Sequence, residues 1–245
     1  GLLAHPELGP IGFHIPLFAA AAFGLTSAVC VALFVRETRP PTGEARPKGR
    51  PPALRDAIAH PIISRIMIIG FVIVSGFAGI EATYGLWTEA KFGWGPREIG
   101  FASVVLRAIG AFAPGMGTGA LVRRFGEPRV LIAGLTLMCI GMLVQFSSQV
   151  WPMAVLGLAI VGFGQSICFP NLVALISLST PPDRQGEMLG LNMSNNALAR
   201  IGGPIYAGQL FSLVSPGAPF ALGAFLILPA LVMAYQIMKL LPRRT

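Results

Sequence analysis

The 245-residue chain is 54% hydrophobic and only 11% charged, with a mean hydropathy of +0.71. A soluble domain usually carries about a quarter of charged residues, so the composition excludes an ordinary soluble protein and predicts an all-α, polytopic membrane protein. The net charge of +8 does not indicate nucleic-acid binding, because the basic residues stand between apolar runs and form no basic face. The three cysteines lie inside apolar runs at no metal-ligand spacing, so neither a metal site nor a disulfide framework is expected.

Seven apolar segments are long enough to cross a bilayer, which takes about 20 helical residues. The first covers 14–35, and the next segment, 36–60, contains five prolines and six Lys or Arg residues, a composition that predicts a flexible linker. Further spans are predicted at about 62–86, 99–121, 130–146 and 151–175, with a sixth ending near Leu213 and a seventh reaching Leu241. The chain therefore divides into 1–35 with one membrane helix, a linker over 36–60 and a six-helix membrane domain over 61–245.

The distribution of basic residues predicts an orientation. When successive loops are assigned to alternate sides, fourteen Lys and Arg residues fall on one side and only Lys91 and Arg97 on the other. Cytoplasmic loops carry the excess of positive charge, so the beginning of the chain is predicted outside and its C-terminus in the cytoplasm. Trp87, Trp94 and Trp151 fall at the predicted outer boundary, where aromatic residues concentrate.

A short basic loop separates the third and fourth predicted spans and reads G-A-L-V-R-R-F-G-E-P-R. It resembles the loop signature of the major facilitator superfamily, G-x-L-a-D-r-x-G-r-r, in the reduced form that the second half of such proteins carries, with a basic residue in the place of the acidic one. The turn F-G-W-G-P-R-E-I-G over 92–100 resembles a loop of the drug-antiporter branch of that family. The loop residues concerned are Gly119, Arg123, Arg124, Gly126 and Arg129.

The resemblance implies a fold and a setting. Facilitators have twelve helices in two six-helix halves, each built from inverted three-helix repeats, with a long cytoplasmic loop between the halves. On this basis the chain is expected to be a fragment, namely the last helix of the N-terminal half, the central loop and the six-helix C-terminal half. The expected partners are the missing N-terminal helices, the lipid bilayer, a small-molecule substrate and protons. The expected location is a bacterial inner membrane.

The resemblance also implies transport. The favoured hypothesis is proton-coupled efflux of a small, amphipathic molecule by alternating access. Two alternatives stay open, namely proton-coupled import of a sugar or metabolite and a membrane fragment that does not transport. No nucleophile with a base and no nucleotide motif is evident, so we expect no enzyme, no cofactor and no nucleic-acid partner.

Two charged residues inside predicted spans are the first candidates for chemistry. Glu81 lies about one and a half helical turns before Trp87, and Arg107 lies about 12 Å into the third span. A bare charge at that depth costs roughly 3 kcal/mol, so Arg107 should have a partner. Because the second and third spans are antiparallel, we predict that Glu81 and Arg107 pair. The pair would be either a structural lock or a switch opened when Glu81 takes up a proton.

Amides and one further arginine complete the candidates for a substrate path. In the sixth span, Asn192, Asn196 and Arg200 recur every four residues and are predicted to share one helix face. Such a face either lines the substrate path or forms hydrogen bonds between helices, and the second interpretation is favoured. Gln165 and Asn171 flank Pro170, where a proline is expected to kink the fifth span and free backbone carbonyls for ligand contact, although packing explains these amides about as well.

Overall fold

A computed structural model describes residues 10–35, 53–112 and 118–240 of the chain. The regular elements of these residues are all helices, which confirms the all-α class of the prediction. Nine helices are present in the described ranges. They are α1 (Pro10–Phe34), α2 (Ala53–Ala59), α3 (Pro61–Phe92), α4 (Pro96–Phe112), α5 (Gly119–Phe125), α6 (Glu127–Ser147), α7 (Trp151–Leu178), α8 (Gln185–Leu213) and α9 (Ala218–Leu240).

Gly1–Arg50 and Pro51–Thr245 form two compact units. The described part of the first unit is α1 with Val35. This helix is 25 residues long and contains no Lys, Arg, Asp or Glu. Its described side chains are nearly all exposed, including Phe18 and Phe23. The helix coincides with the first predicted span and, by length and composition, is able to cross a membrane.

The predicted linker ends in a helix. Residues 53–59 form α2, which contacts α3 and α8, and its Ala57 side chain is fully buried in the core. The prediction of a flexible linker over 36–60 is therefore wrong for this last part, while 36–52 lie outside the described residues. Composition misled the prediction, because Leu54, Ala57 and Ile58 sit close to the prolines and arginines that dominate the segment.

The helices of the second unit follow the predicted spans, with one difference. The third predicted span, 99–121, corresponds to α4 and the start of α5, and residues 113–117 between them lie outside the described part of the chain. Within the described ranges, five helices are long and apolar enough to cross a membrane: α1, α3, α6, α7 and α9. The 17-residue α4 is short, and α8 has a lower hydropathy because it carries several amides and Arg200.

Buried side chains repeat at the spacing of one helix face. On α6, Leu131, Leu135, Met138 and Met142 are essentially inaccessible, and their three- and four-residue steps place them on one side of the helix. They belong to one cluster with Ile66, Ile69 and Ile73 of α3, Leu175 and Ile176 of α7, and Phe220 of α9. In a membrane protein such a cluster stabilises the fold through close van der Waals packing more than through exclusion of water.

Small residues let the backbones of α3 and α8 touch. A Cβ atom added at Gly79 would lie 2.9 Å from Ala207 Cβ, and one added at Gly203 would collide with the backbone oxygen of Ser75. Three contacts of this seam join residues 128 positions apart, so α3 and α8 run in the same direction. The pairs are Met67 with Asn195, Ser75 with Gly203 and Gly79 with Ala207.

The α6–α7 contact is equally close but antiparallel. A Cβ atom at Gly141 would lie 2.9 Å from Gly157 O, and one at Gly164 would lie 2.7 Å from Gly134 O. As the residue number rises on α6 it falls on α7. The bundle is thus built from two seams of small residues, with α9 packed against both α3 and α6 and α4 packed against α7.

We expect Gly203→Ala in the full-length protein to lower the free energy of unfolding by about 1–3 kcal/mol, because the added methyl group separates α3 from α8. Gly208→Ala is the matched control on the same helix, since nothing lies within 4 Å of a Cβ atom there. That control should leave stability unchanged or raise it by up to about 1 kcal/mol through helix propensity. Denaturation of the purified protein measures both, and equal effects of the two substitutions would contradict the close α3–α8 contact.

Candidate functional site

The turn between α3 and α4 fixes the geometry of the site. Gly93 has φ 67°, a left-handed conformation that suits glycine, and its N–H donates to Glu89 O at 2.9 Å. The Gly95 N–H donates to the Glu98 carboxylate at 3.0 Å, and Pro96 is the first residue of α4. The turn predicted from F-G-W-G-P is confirmed in these contacts. It reverses the chain within three residues and sets α3 and α4 antiparallel.

Glu81 and Arg107 lie at matching depths on this hairpin. Each is eleven residues from the end of its helix at the turn, or about 16 Å. The Arg107 guanidinium donates a hydrogen bond to Glu81 Oε1 and forms an ion pair with it. The predicted contact is therefore present. Glu81 lies deeper than expected from the sequence, because α3 continues to Phe92 instead of ending near Trp87.

The pair lies on an open face of the bundle. The Arg107 side chain is 72% exposed and the Glu81 side chain 38% exposed within this chain. Both groups are thus accessible from the side of α3 and α4 that the rest of the described chain leaves uncovered. A charged pair at mid-helix with an open side can bind a polar or charged ligand, or change partners when one member takes up a proton.

The polar face predicted on α8 is divided between two environments. Asn192 and Asn196 are buried, and their side-chain oxygens would lie 3.8 and 3.6 Å from a Cβ atom at Gly70 of α3. Arg200 is exposed, so it lies in a different environment from the two buried asparagines. Four helical residues advance about 400°, so two such steps move Arg200 about 80° away from Asn192. Ala199 takes the buried position instead.

Asn195, which the sequence places elsewhere on the helix and ranks as a weaker candidate, makes a contact between these helices. The Asn195 side-chain NH₂ donates to the backbone oxygen of Met67 on α3 at 2.9 Å. The run of three amides at 192, 195 and 196 was the available signal, because residues three or four apart lie on neighbouring parts of one face. The α8 amides therefore support packing against α3, which agrees with the favoured interpretation.

The polar residues around Pro170 also lie in different environments. Asn171 is buried, and its NH₂ donates to Ile167 O at 2.6 Å within the same helix. Gln165 is half-buried and Phe169 is 40% exposed, so these two remain accessible from the surface. The helix α7 continues through Pro170 without interruption. The amide of Asn171 is thus engaged by the backbone rather than directed towards a ligand.

In the basic loop a single residue, Gly126, separates α5 from α6. Gly126 has φ 82°, its N–H donates to Val122 O at 2.8 Å, and α6 begins at the next residue. This backbone conformation explains why the motif has glycine at position 126, since a residue with a side chain is strained at positive φ. Gly119 begins α5, and Arg123, Arg124 and Arg129 are all exposed. The loop residues lie on α5, on α6 and at Gly126 between them, outside the α3–α4 hairpin that carries the charged pair.

An ion cluster missed by the sequence analysis ties α2 to the start of α8. The Arg184 guanidinium contacts the Asp56 carboxylate of α2 and donates from Nε to Glu187 Oε2 at 3.1 Å. The hydrogen bonds that the Arg184 guanidinium donates to Asp56 and Glu187 raise the pKa of Arg184 above its ordinary value. The cluster holds α2 against the start of α8. Within the described residues no group of three or more His, Cys, Asp or Glu could hold a metal ion.

The apolar helices, their small-residue seams and the charged pair at mid-helix together define a polytopic helical membrane protein. The Major Facilitator Superfamily model matches residues 66–244. The chain therefore belongs to the major facilitator superfamily, whose members are transporters and not enzymes.

Curated relatives extend the match over most of the chain. The tetracycline resistance protein, class C, of Escherichia coli is 27% identical over 247 residues, covering 94% of this chain and 61% of that protein. Multidrug resistance protein 2 of Bacillus subtilis (strain 168) is 26% identical over 229 residues, covering 90% of this chain and 56% of that protein. The chain thus spans somewhat more than half the length of the curated relatives it matches.

A solved structure supports the fold. The human organic anion transporter MFSD10 (TETRAN) superposes with a TM-score of 0.64 at 24% sequence identity. The match covers 70% of this chain and 41% of the transporter. Its meaning is limited to the arrangement of the helices.

A double-mutant cycle tests whether Glu81 and Arg107 stabilise each other. We expect Glu81→Gln and Arg107→Gln each to reduce the stability of the full-length protein by between about 1 kcal/mol, typical of an exposed pair, and about 3 kcal/mol, typical of a buried one. The double substitution should cost less than the sum of the two.

Glu89→Gln and Arg97→Gln are the controls, because both residues are exposed near the same turn. Thermal unfolding in detergent measures all five variants. Strict additivity for Glu81 and Arg107 would show that the contact carries no coupling energy.

Proposed function

We propose that the protein is a proton-coupled transporter that expels a small, amphipathic molecule, and that this chain forms its C-terminal six-helix half with the preceding helix. The observation that carries the proposal is the Glu81–Arg107 ion pair on the open face of the α3–α4 hairpin. Efflux is proposed because the relatives include tetracycline and multidrug resistance proteins. Transport would alternate access to a mid-membrane site between the two halves.

Helix directions support seven membrane passes. Because α3 and α8 are parallel, an odd number of membrane passes must lie between them if both cross the bilayer. Three passes meet this condition: α4 and α5 together form one, and the antiparallel helices α6 and α7 form the other two. The residues 61–245 then supply six passes and α1 the seventh, which is the organisation that the sequence predicts.

The basic residues support an orientation in a bacterial inner membrane. The Gly126 loop, the Arg184 cluster and Arg65 all lie at the same predicted end of the helices, and positive charge favours the cytoplasmic side. The α3–α4 turn then faces outward, with the end of α1 that carries Pro10 on that side as well. Lipid and the remaining helices of the full-length protein would cover the apolar surface of α1.

The charged pair suggests how a proton is exchanged for substrate. With Glu81 ionised, the pair is neutral and compatible with an apolar setting. Protonation of Glu81 leaves Arg107 with an uncompensated charge, which costs roughly 3 kcal/mol in a membrane. That state favours either a new anionic or polar partner or a rearrangement of the hairpin. The alternation between these two states is our proposal for coupling.

Other candidate residues take different roles in this proposal. Arg200 and Gln165 are accessible and are assigned to the substrate path. At the offset of 128 residues between α3 and α8, Arg200 is level with Val72, nine residues or about 13 Å from Glu81 along α3. Asn171, Asn192 and Asn196 are assigned to packing, because each is buried between or within helices.

Transport assays with the full-length protein test this function. We expect cells that express it to accumulate less tetracycline, used as the probe, and to lose this difference when a protonophore dissipates the proton gradient. Glu81→Gln should abolish uphill efflux, because the substituted side chain takes up no proton, while exchange of substrate across proteoliposomes without a gradient persists.

Glu89→Gln is the matched control and should transport normally. Greater accumulation in expressing cells would favour import, and an absence of any saturable flux would favour a protein that does not transport this probe class. Gradient-driven efflux that survives in Glu81→Gln would contradict the coupling role of Glu81.

A further inference from the structure

A second site lies at the end of α3 that is remote from the Arg184 cluster, away from the Glu81–Arg107 pair. A cavity of about 240 Å³ is formed where the end of α3 meets the end of α6 and the turn between α8 and α9. We propose that it binds the phosphate group of an anionic phospholipid in the leaflet at this end. Its lining residues are Trp87, Ala90, Lys91, Phe146, Pro216 and Gly217.

The cavity holds a cation without a counter-ion. Lys91 Nζ lies 5.6 Å from the centroid of the Trp87 ring, within the range of a cation–π contact. Among the described residues no carboxylate lies within ion-pair distance of this ammonium group. The aromatic face attracts the cation but does not neutralise it. An anion entering the cavity would therefore meet an unpaired positive charge between apolar walls.

The aromatic wall behind Lys91 is rigidly placed. Trp87 is 1% exposed, and its ring lies 4.8 Å from that of Phe220 and 5.6 Å from that of Phe92, both in edge-on geometry. Contacts of this kind restrict the indole on several sides. The position of the indole ring is therefore fixed, so the methylene groups of Lys91 can pack on its face while the ammonium group lies at the cavity.

Size and surroundings favour a lipid headgroup over a whole substrate. Pockets for drug-sized molecules usually measure about 300–1,000 Å³, so this cavity suits a smaller group. Apolar side chains stay exposed beside it, with Phe146 49% and Trp151 59% exposed. Tryptophan and lysine together are typical of the membrane boundary, where a phosphate lies above acyl chains. The exposed apolar residues would contact those chains.

Lipid titrations of the purified full-length protein test the site. Native mass spectrometry would compare phosphatidylglycerol, which is anionic, with phosphatidylcholine, which is zwitterionic, and inorganic phosphate would be the competitor. We expect Lys91→Gln to weaken phosphatidylglycerol binding about fivefold or more through loss of the charge. Gly217→Leu should weaken it similarly by filling the cavity, because a Cβ atom added at Gly217, which has an ordinary φ, would lie 3.4 Å from the Phe146 ring.

Lys239→Gln is the matched control. Its ammonium group also lies over an aromatic ring, 4.7 Å from the centroid of Tyr235, but near the opposite end of the bundle. This variant should bind phosphatidylglycerol within about twofold of the unsubstituted protein. Unchanged binding in Lys91→Gln would overturn the proposal even if Gly217→Leu failed to fold. Equal binding of phosphatidylcholine, or displacement of the lipid by millimolar inorganic phosphate, would overturn the assignment to an anionic lipid.

Discussion

A carboxylate and a guanidinium placed at mid-helix in a membrane protein must compensate each other, because an unpaired charge inside the membrane is costly. Glu81 and Arg107 meet this requirement through a hairpin whose turn sets both residues eleven positions from the helix ends. The pair can form only if α3 and α4 are antiparallel. That arrangement depends on the left-handed conformation of Gly93 and on the proline that begins α4. A shift of one residue in that turn would rotate one charge by about 100° away from the other.

The hairpin is supported by two seams of small residues. Along α3, the contacts of Gly79 with Gly203 and Ala207 bring the backbone of α8 close, and the α8 amides approach Gly70 lower on the same seam. The opposite seam joins α6 to α7 through four glycines. Close backbone contact replaces the hydrophobic effect as the main attraction between helices in lipid. The seams bury the amides Asn192 and Asn196 of α8, while the face with the charged pair is left open by the described part of the chain.

Sequence patterns predicted the parts of this structure that depend on local chemistry. The turn at 93–96 follows from glycine and proline preferences, and the ion pair follows from equal depth on an antiparallel hairpin. Arg200 is exposed although Asn192 is buried, because a four-residue repeat drifts by about 40° per step around the helix. The helix α2 was missed because its apolar residues are few, and its stability comes from Ala57 packing and the Asp56–Arg184 contact, which involve residues far along the chain. Tertiary partners of that kind leave no local signal.

Protonation of Glu81 is the central claim and is best measured by infrared difference spectroscopy of the full-length protein as the pH is lowered. The account predicts a carboxylic-acid C=O band that is absent in Glu81→Gln and unchanged in Glu89→Gln. Substrate binding should alter the same band, because substrate and proton compete for one state of the pair. A spectrum without such a band over the pH range in which the protein stays folded, or the same band in Glu81→Gln, would contradict the account.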